Sequence, residues 1–289
     1  MEPVEKPVLT HLLLEELYEA SKVAKPTARG TALRYSSAGA CERQISYMGL
    51  GAKQNTPMDR SGAWATGLGT IVHEALQGAI SRVYPRAEFE VSSQNGNISG
   101  SCDALIPGED LSPEWAGTWV LYELKTMGTY SFDKQVGWNR MRGTVGMGEG
   151  PALKAITQAG MNALGIESER KIRIENVIMG SITFEALSKN KARNMDINEY
   201  NRQMAEFHVP RSIWEPLALD EIKRFGSVAD SLERNIIGDV IALSDNGDKI
   251  MLNPESGKYW QCDYCAYRLT CIEDGPGILS VSDSVMEKQ

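Results

Sequence analysis

Residues 98–125 read ISGSCDALIPGEDLSPEWAGTWVLYELK, and the rest of the chain is organised around this stretch. Its two ends predict strands, Ile98 to Ile106 and Thr118 to Lys125. The turn between them, PGEDLSP, is rich in proline, glycine and acids. Side chains alternate along a strand, so Glu123 and Lys125 project from the face that carries Trp119 and Leu121. Val120, Tyr122 and Leu124 fill the other face. A run that is apolar on both faces belongs to a buried strand. Charges that close such a run are either paired or form a site, and a site is the expectation here. The partner strand carries one acid, Asp103.

At 289 residues the chain suggests one to two domains with a substantial core. Its 42% hydrophobic and 24% charged residues are ordinary for a soluble globular protein. No apolar run approaches the roughly 20 residues needed to span a bilayer. The first residues, MEPVEKPVLT, lack the basic and apolar regions of a secretory signal, so a cytoplasmic protein without a membrane partner is expected. A net charge of −8 argues against a general affinity for nucleic acid. Charge is uneven, however: Lys125 to Arg211 holds 13 Lys and Arg against 9 Asp and Glu, a net +4, which leaves a basic groove open.

Outside the central stretch, residues 8–24 predict an amphipathic helix in which His11 is incidental. Arg29, Arg34 and Arg43 make the region around Cys41 basic, and CERQISYMGL is helix-like. Residues 57–83 predict a second helical region. There Gly69 lies one turn before His73 and leaves space beside the imidazole. A strand is expected at Ala87–Val91, and residues 138–150 read as a glycine-rich, initially basic loop near a ligand. Residues 151–165 predict a helix with proline in its first turn and Gly165 near its end. Strands follow at 171–184 and Glu206–Val209, where His208 has no chemical role, then a long helix over 211–236. SDNGDKIMLNPESG reads as a linker.

Three of the five cysteines fall within ten residues, as Cys262-x2-Cys265-x5-Cys271. In a cytosolic protein such spacing points to metal or redox chemistry rather than disulfides. Three thiolates leave one position open on a four-ligand centre. Cys41 is the natural fourth, while Cys102 reads as a small core residue. Four thiolates suit structural zinc or an iron–sulfur cluster. A single Cys-x2-Cys pair tilts the choice toward iron–sulfur. Either centre would clasp the two ends of the chain together.

Taken together, these residues resemble the RecB-like branch of the PD-(D/E)XK nuclease superfamily. The resemblance rests on a histidine in a G-x-x-x-H setting, an aspartate on a strand, E-x-K closing the next strand, and one cysteine before and three after the core. The cysteine pattern, YCAYRLTC especially, is similar to the CRISPR-associated iron–sulfur exonucleases, their phage-encoded relatives, and the iron–sulfur module of the AddB helicase-nuclease subunit. It spans Ala38 to Cys271. The family's helix after the E-x-K strand carries Q-x-x-x-Y; here Gln158 is present and Asn162 occupies the tyrosine position.

The resemblance implies an α/β fold: a restriction-endonuclease-like core with a mixed sheet between helices, and a helical iron–sulfur cap joining the two ends. Residues 1–60 would be the first part of the cap, 61–254 the nuclease core, and 255–289 the cysteine cluster and tail. The implied activity is metal-dependent DNA exonuclease action on ends or single strands. His73, Asp103, Glu123 and the Leu124 carbonyl would hold Mg2+ or Mn2+, with Lys125 and Gln158 completing the catalytic set. Cys41, Cys262, Cys265 and Cys271 would hold a 4Fe-4S cluster, or zinc in its place. Arg43, Arg140, Arg142, Lys189, Lys191 and Arg193 are candidate contacts to the DNA backbone. Trp138 reads as a core residue or a base-stacking one. The alternative is a weakly cutting DNA-binding adaptor that partners recombination or CRISPR-adaptation proteins. No GxxxxGK[ST] motif occurs, so the nuclease is expected to stand alone on its chain.

Overall fold

The two strands expected around Asp103 and Glu123 lie at the centre of a six-stranded sheet. A computed structural model describes residues 33–52, 54, 56, 60–139, 144–184, 203–243, 249–256, 260–263, 265–275, 277–281 and 284. The sheet strands are β1 (Leu33–Arg34), β2 (Glu88–Asn95), β3 (Ile98–Pro107), β4 (Trp119–Met127), β5 (Ile174–Thr183) and β6 (Met204–Pro210). They run in the order β1-β3-β4-β5-β6, with β2 also on β3. β1 is parallel to β3 and β4 is parallel to β5; the other pairs are antiparallel.

The helices that matter for the site are α1 (Glu42–Gly49), α2 (Arg60–Val83), α3 (Thr129–Val136), α4 (Leu153–Arg170) and α5 (Arg211–Glu233). The parallel pair β4 and β5 needs a crossover, and the segment holding α3 and α4 supplies it. The alternation read in TWVLYELK divides the core. Leu105, Leu121, Val177 and Met179 pack against Ile156, Ala159 and Ala163 of α4 and Trp214 of α5. On the opposite face Ala104, Ile106, Val120, Tyr122, Leu124 and Ile178 pack against Val72, Leu76 and Ile80 of α2. This is a mixed sheet flanked by helices, the architecture of a restriction-endonuclease-like core.

Helix α4 runs past the end expected from Gly165 and stops at Lys171, in the left-handed conformation. Gly165 is a packing position rather than a cap. A Cβ there would lie 2.6 Å from both Tyr35 Oη and Ser93 Oγ, so its absence lets α4 sit against β2 and the turn after β1. The expected linker near residue 250 holds a strand instead: β8 (Ile241–Leu243) and β9 (Lys249–Met251) form a small antiparallel ladder. β7 (Ile236–Ile237) pairs with β10 (Leu279–Ser280) close to the C-terminus. Between them lie the short helices α6 (Trp260–Asp263) and α7 (Arg268–Asp274). These pieces and α1 enclose a separate small core containing Tyr47, Ile237, Val240, Leu252, Tyr267 and the thiols of Cys41, Cys262 and Cys271. Among the described residues, no helix is long and apolar enough to cross a membrane. The helix expected at residues 8–24, with His11 and Arg29, lies outside the described residues.

Candidate active site

β3 and β4 pair only from Ala104↔Tyr122 to Pro107↔Trp119. β2 occupies one edge of β3 along most of its length, so β1, bound at Ile98 and Ser99, must take the edge that β4 has left. The sheet therefore opens between Gly100 and Asp103, and the candidate residues gather at this opening. The β2 ladder also skips one pair there, at Glu90 and Asp103, where Glu90 has φ +48°. Strand alternation slips at the same place. Cys102 and Leu105, three residues apart, both enter the α4-side core, whereas Ala104 faces α2.

Asp103 holds the opening together. Its Oδ2 accepts the Leu124 N–H at 2.6 Å, standing in for a ladder partner, and its Oδ1 lies 3.1 Å from His73 Nδ1 on α2. Helix α2 comes this close because Gly69 lacks a side chain. The space expected beside the imidazole is used by β4: a Cβ on Gly69 would stand 3.2 Å from Thr126 Oγ1. Across the opening, Glu123 Oε1 accepts from Lys125 Nζ at 2.8 Å and from Gln158 Nε2 at 2.9 Å. Lys125 Nζ also donates to Gln158 Oε1 at 3.2 Å, closing a triangle between β4 and α4. Glu123 is 3% exposed and its second oxygen, Oε2, is buried without a partner among the described residues. The Lys125 side chain is 32% exposed, so it faces the mouth of the site.

Burial raises the Glu123 carboxyl to about 6 from an ordinary 4.5; the nearby Asp103 charge adds to this, and Lys125 and His73 oppose it. The hydrogen bond that the imidazole donates to Asp103 is the main cause that raises His73 above its usual 6.5. Both shifts favour the protonated forms, so a cation would compete with protons at these two side chains. Among the described residues no group of three or more His, Cys, Asp or Glu side chains is arranged to hold a metal ion as it stands. The reason is local: Oε1 of Glu123 is engaged by Lys125 and Gln158, and Asp103 by His73 and Leu124. The donor set, two carboxylates and an imidazole with one carboxylate oxygen unpartnered, has the chemistry of a site for Mg2+ or Mn2+. Leu124 enters the site through its N–H, and Asn162 is buried, donating to Ser101 O at 3.1 Å behind β3.

Cys41, Cys262, Cys265 and Cys271 line one small cavity of about 20 Å3, room for about one water. Cys41 is the N-cap residue of α1 without a side-chain capping bond, and its Sγ lies 3.8 Å from the Asp239 carbonyl, which also accepts the Arg43 N–H at 3.1 Å. Burial pushes Cys262 and Cys265 up to about 11 and Cys271 to about 12, and the mutual repulsion of the thiolates adds to each. Burial thus favours the protonated thiols, and a thiophilic ion would have to displace those protons. Cys102 is buried in the main core, away from the four. A buried pair that the sequence did not suggest braces the Cys41 loop: Glu221 accepts the Gly39 N–H at 2.7 Å, and Arg224 binds Glu221 and the Ala40 carbonyl.

Arg43 is not a DNA contact. It is fully buried, with its guanidinium donating to the carbonyls of Gly238, Gly275 and Gly277, so no donor faces a phosphate. Its spacing to Tyr47, one helical turn on, is the only sequence signal that it belongs to a buried face. Arg140, Arg142, Lys189, Lys191 and Arg193 lie outside the described residues. Trp138 is half-buried on a two-residue strand that pairs with Thr144–Val145.

No known family's sequence profile matches the chain, and no curated protein matches it. Solved structures do. SSO0001 is 17% identical over 91% of this chain and 95% of its own, with a TM-score of 0.42. An alkaline exonuclease, LHK-Exo from Laribacter hongkongensis, is 10% identical over 76% of this chain and 96% of its own, with a TM-score of 0.31. At these scores neither likeness bears on the site.

Proposed function

We propose that this chain is a metal-dependent deoxyribonuclease, an exonuclease acting on single strands or DNA ends. One observation carries the reading: His73, Asp103, Glu123, Lys125 and Gln158 converge at an opening of the central sheet, with a buried carboxylate oxygen unpartnered among the described residues. Asp103, Glu123 and His73, with the Leu124 carbonyl, would hold Mg2+ or Mn2+, which when bound supplies charge to polarise a phosphate and to acidify water. Lys125, at the mouth, orients or deprotonates the attacking water, or offsets charge growing on the phosphate. Gln158 fixes both Lys125 and Glu123, so the ammonium and the carboxylate keep one geometry. Asp103 ties α2 to β4 and sets the orientation of the imidazole.

The four cysteines would hold an iron–sulfur cluster or zinc in a structural role. Among the described residues no three of these thiols are set to grip an ion as the chain stands, so a single ion or a cluster alike would have to draw them into place. Colour separates the two, because an iron–sulfur protein purified without oxygen is brown. The cellular setting in this reading is the cytoplasm, or the host cytoplasm for a phage-encoded copy.

A time course on end-labelled single- and double-stranded DNA with Mn2+, Mg2+ or chelator tests the reading. Stepwise loss of end nucleotides with metal and none with chelator is expected; no cleavage of either substrate under any condition overturns it. One observation favours a second reading, a weakly cutting DNA-binding adaptor that serves recombination or CRISPR-adaptation proteins: no three ligating side chains among the described residues are set to grip a metal. Tight DNA binding without metal-dependent turnover would select it.

A further inference from the structure

The cavity between the four cysteines is lined by two arginines and by no carboxylate. Arg268 has a charge partner, Asp263, at 2.7 Å. Arg43 has none among the described residues: its guanidinium meets only the three backbone carbonyls of Gly238, Gly275 and Gly277. Those carbonyls take three of its five N–H donors and leave its charge without a counter-charge. A fully buried cation without a counter-charge is costly, and such groups are ordinarily paired. The neighbouring acid, Asp274, uses Oδ2 to accept from Tyr47 and Ser284.

We infer that Arg43 is the buried counter-charge of a metal–thiolate centre formed by Cys41, Cys262, Cys265 and Cys271. The inference rests on the reading of the four cysteines as such a centre. Four thiolates around a dication carry about two excess negative charges once their protons have left to solvent. Arg43 supplies a positive charge at the wall of that cavity, on the helix that Cys41 opens. Because its bonds run to the turn before β8 and to the segment after α7, the same side chain joins the halves of the thiol set. Arg43 is thus a positioning residue that acts through the ligands.

The test is a Zn2+ titration of the metal-free, reduced full-length chain against a chromophoric chelator at neutral pH. Wild type, Arg43→Lys and Arg43→Met are compared, with the fold of each checked by circular dichroism. Both substitutions lose the three-carbonyl grip, and only the lysine keeps the charge. We expect Arg43→Met to weaken Zn2+ binding roughly 10–100-fold, as loss of an outer partner of metal ligands does, and Arg43→Lys to recover most of that loss. Equal affinity for the lysine and methionine variants, or wild-type affinity for Arg43→Met, overturns the counter-charge. If Arg43→Met does not fold, Arg43→Gln takes its place in the same comparison. A wild-type chain that binds no Zn2+ and carries no iron removes the thiol centre itself, and Arg43's role with it.

Discussion

Replacing Glu123 with glutamine separates a functional carboxylate from a structural ion pair by the sign of one number. The side chain is 3% exposed, and burial lifts its pKa from 4.5 to about 6 despite the Lys125 ammonium 2.8 Å away. At about 1.36 kcal/mol per tenfold change in proton affinity, ionised Glu123 costs the metal-free fold on the order of 2 kcal/mol. The sign follows from linkage. An acid whose folded pKa is raised binds its proton more tightly in the native state. Its cost is absent below about pH 4.5, grows as pH rises through about 6, and is complete above that. Glutamine keeps the shape and an acceptor for Lys125 and Gln158 without the charge. Urea unfolding of metal-free Glu123→Gln should therefore show equal or greater stability than wild type at pH 8, by up to about 2 kcal/mol, and no gain near pH 4. The same variant should lose Mn2+-induced stabilisation, which for wild type at 100 times the dissociation constant would be about 2.7 kcal/mol. Breaking a buried ion pair that serves only the fold costs about 3–5 kcal/mol. A loss of that size at pH 8 would falsify the assignment of Glu123 to a site.

Other outcomes follow from the same geometry. Lys125→Ala should abolish cleavage, by at least about 100-fold, while far-ultraviolet circular dichroism stays unchanged; wild-type rates would remove Lys125 from the catalytic set. Mn2+ affinity should rise steeply from pH 5.5 to 7.5, because protons on Glu123 and His73 must leave first. Calorimetry in two buffers of different ionisation enthalpy reads that release, and an affinity flat with pH contradicts it. For His73 the sign is that of a raised base: its pairing with Asp103 stabilises the metal-free fold below about pH 6.5 and fades as pH rises through its folded pKa. Gly165→Ala should destabilise by about 1–2 kcal/mol by overpacking against Tyr35 and Ser93. The opposite result, a gain of about 1 kcal/mol from helix propensity alone, would show that α4 is free to shift.

The sequence by itself determined what has a short period. Alternation over TWVLYELK, a property of adjacent residues, assigned Leu121 and Glu123 to one core face and Tyr122 and Leu124 to the other, and the two packed cores repeat that division. Helix-forming runs were legible for the same reason: α2 ends at Val83 as expected, and α5 begins at Arg211, although it stops at Glu233 and Ile236 joins β7. Tertiary structure alone decided where the sheet opens, because β1 and β4 share one edge of β3 and that choice depends on strands remote in sequence. It also moved Gly165 from a helix end to a helix contact, and it turned Arg43 from a surface cation into a buried one. The carbonyls that hold Arg43 lie 195, 232 and 234 residues along the chain, beyond the reach of any local pattern. Burial is a property of the partners, and a charged residue carries no mark in sequence of what will close over it.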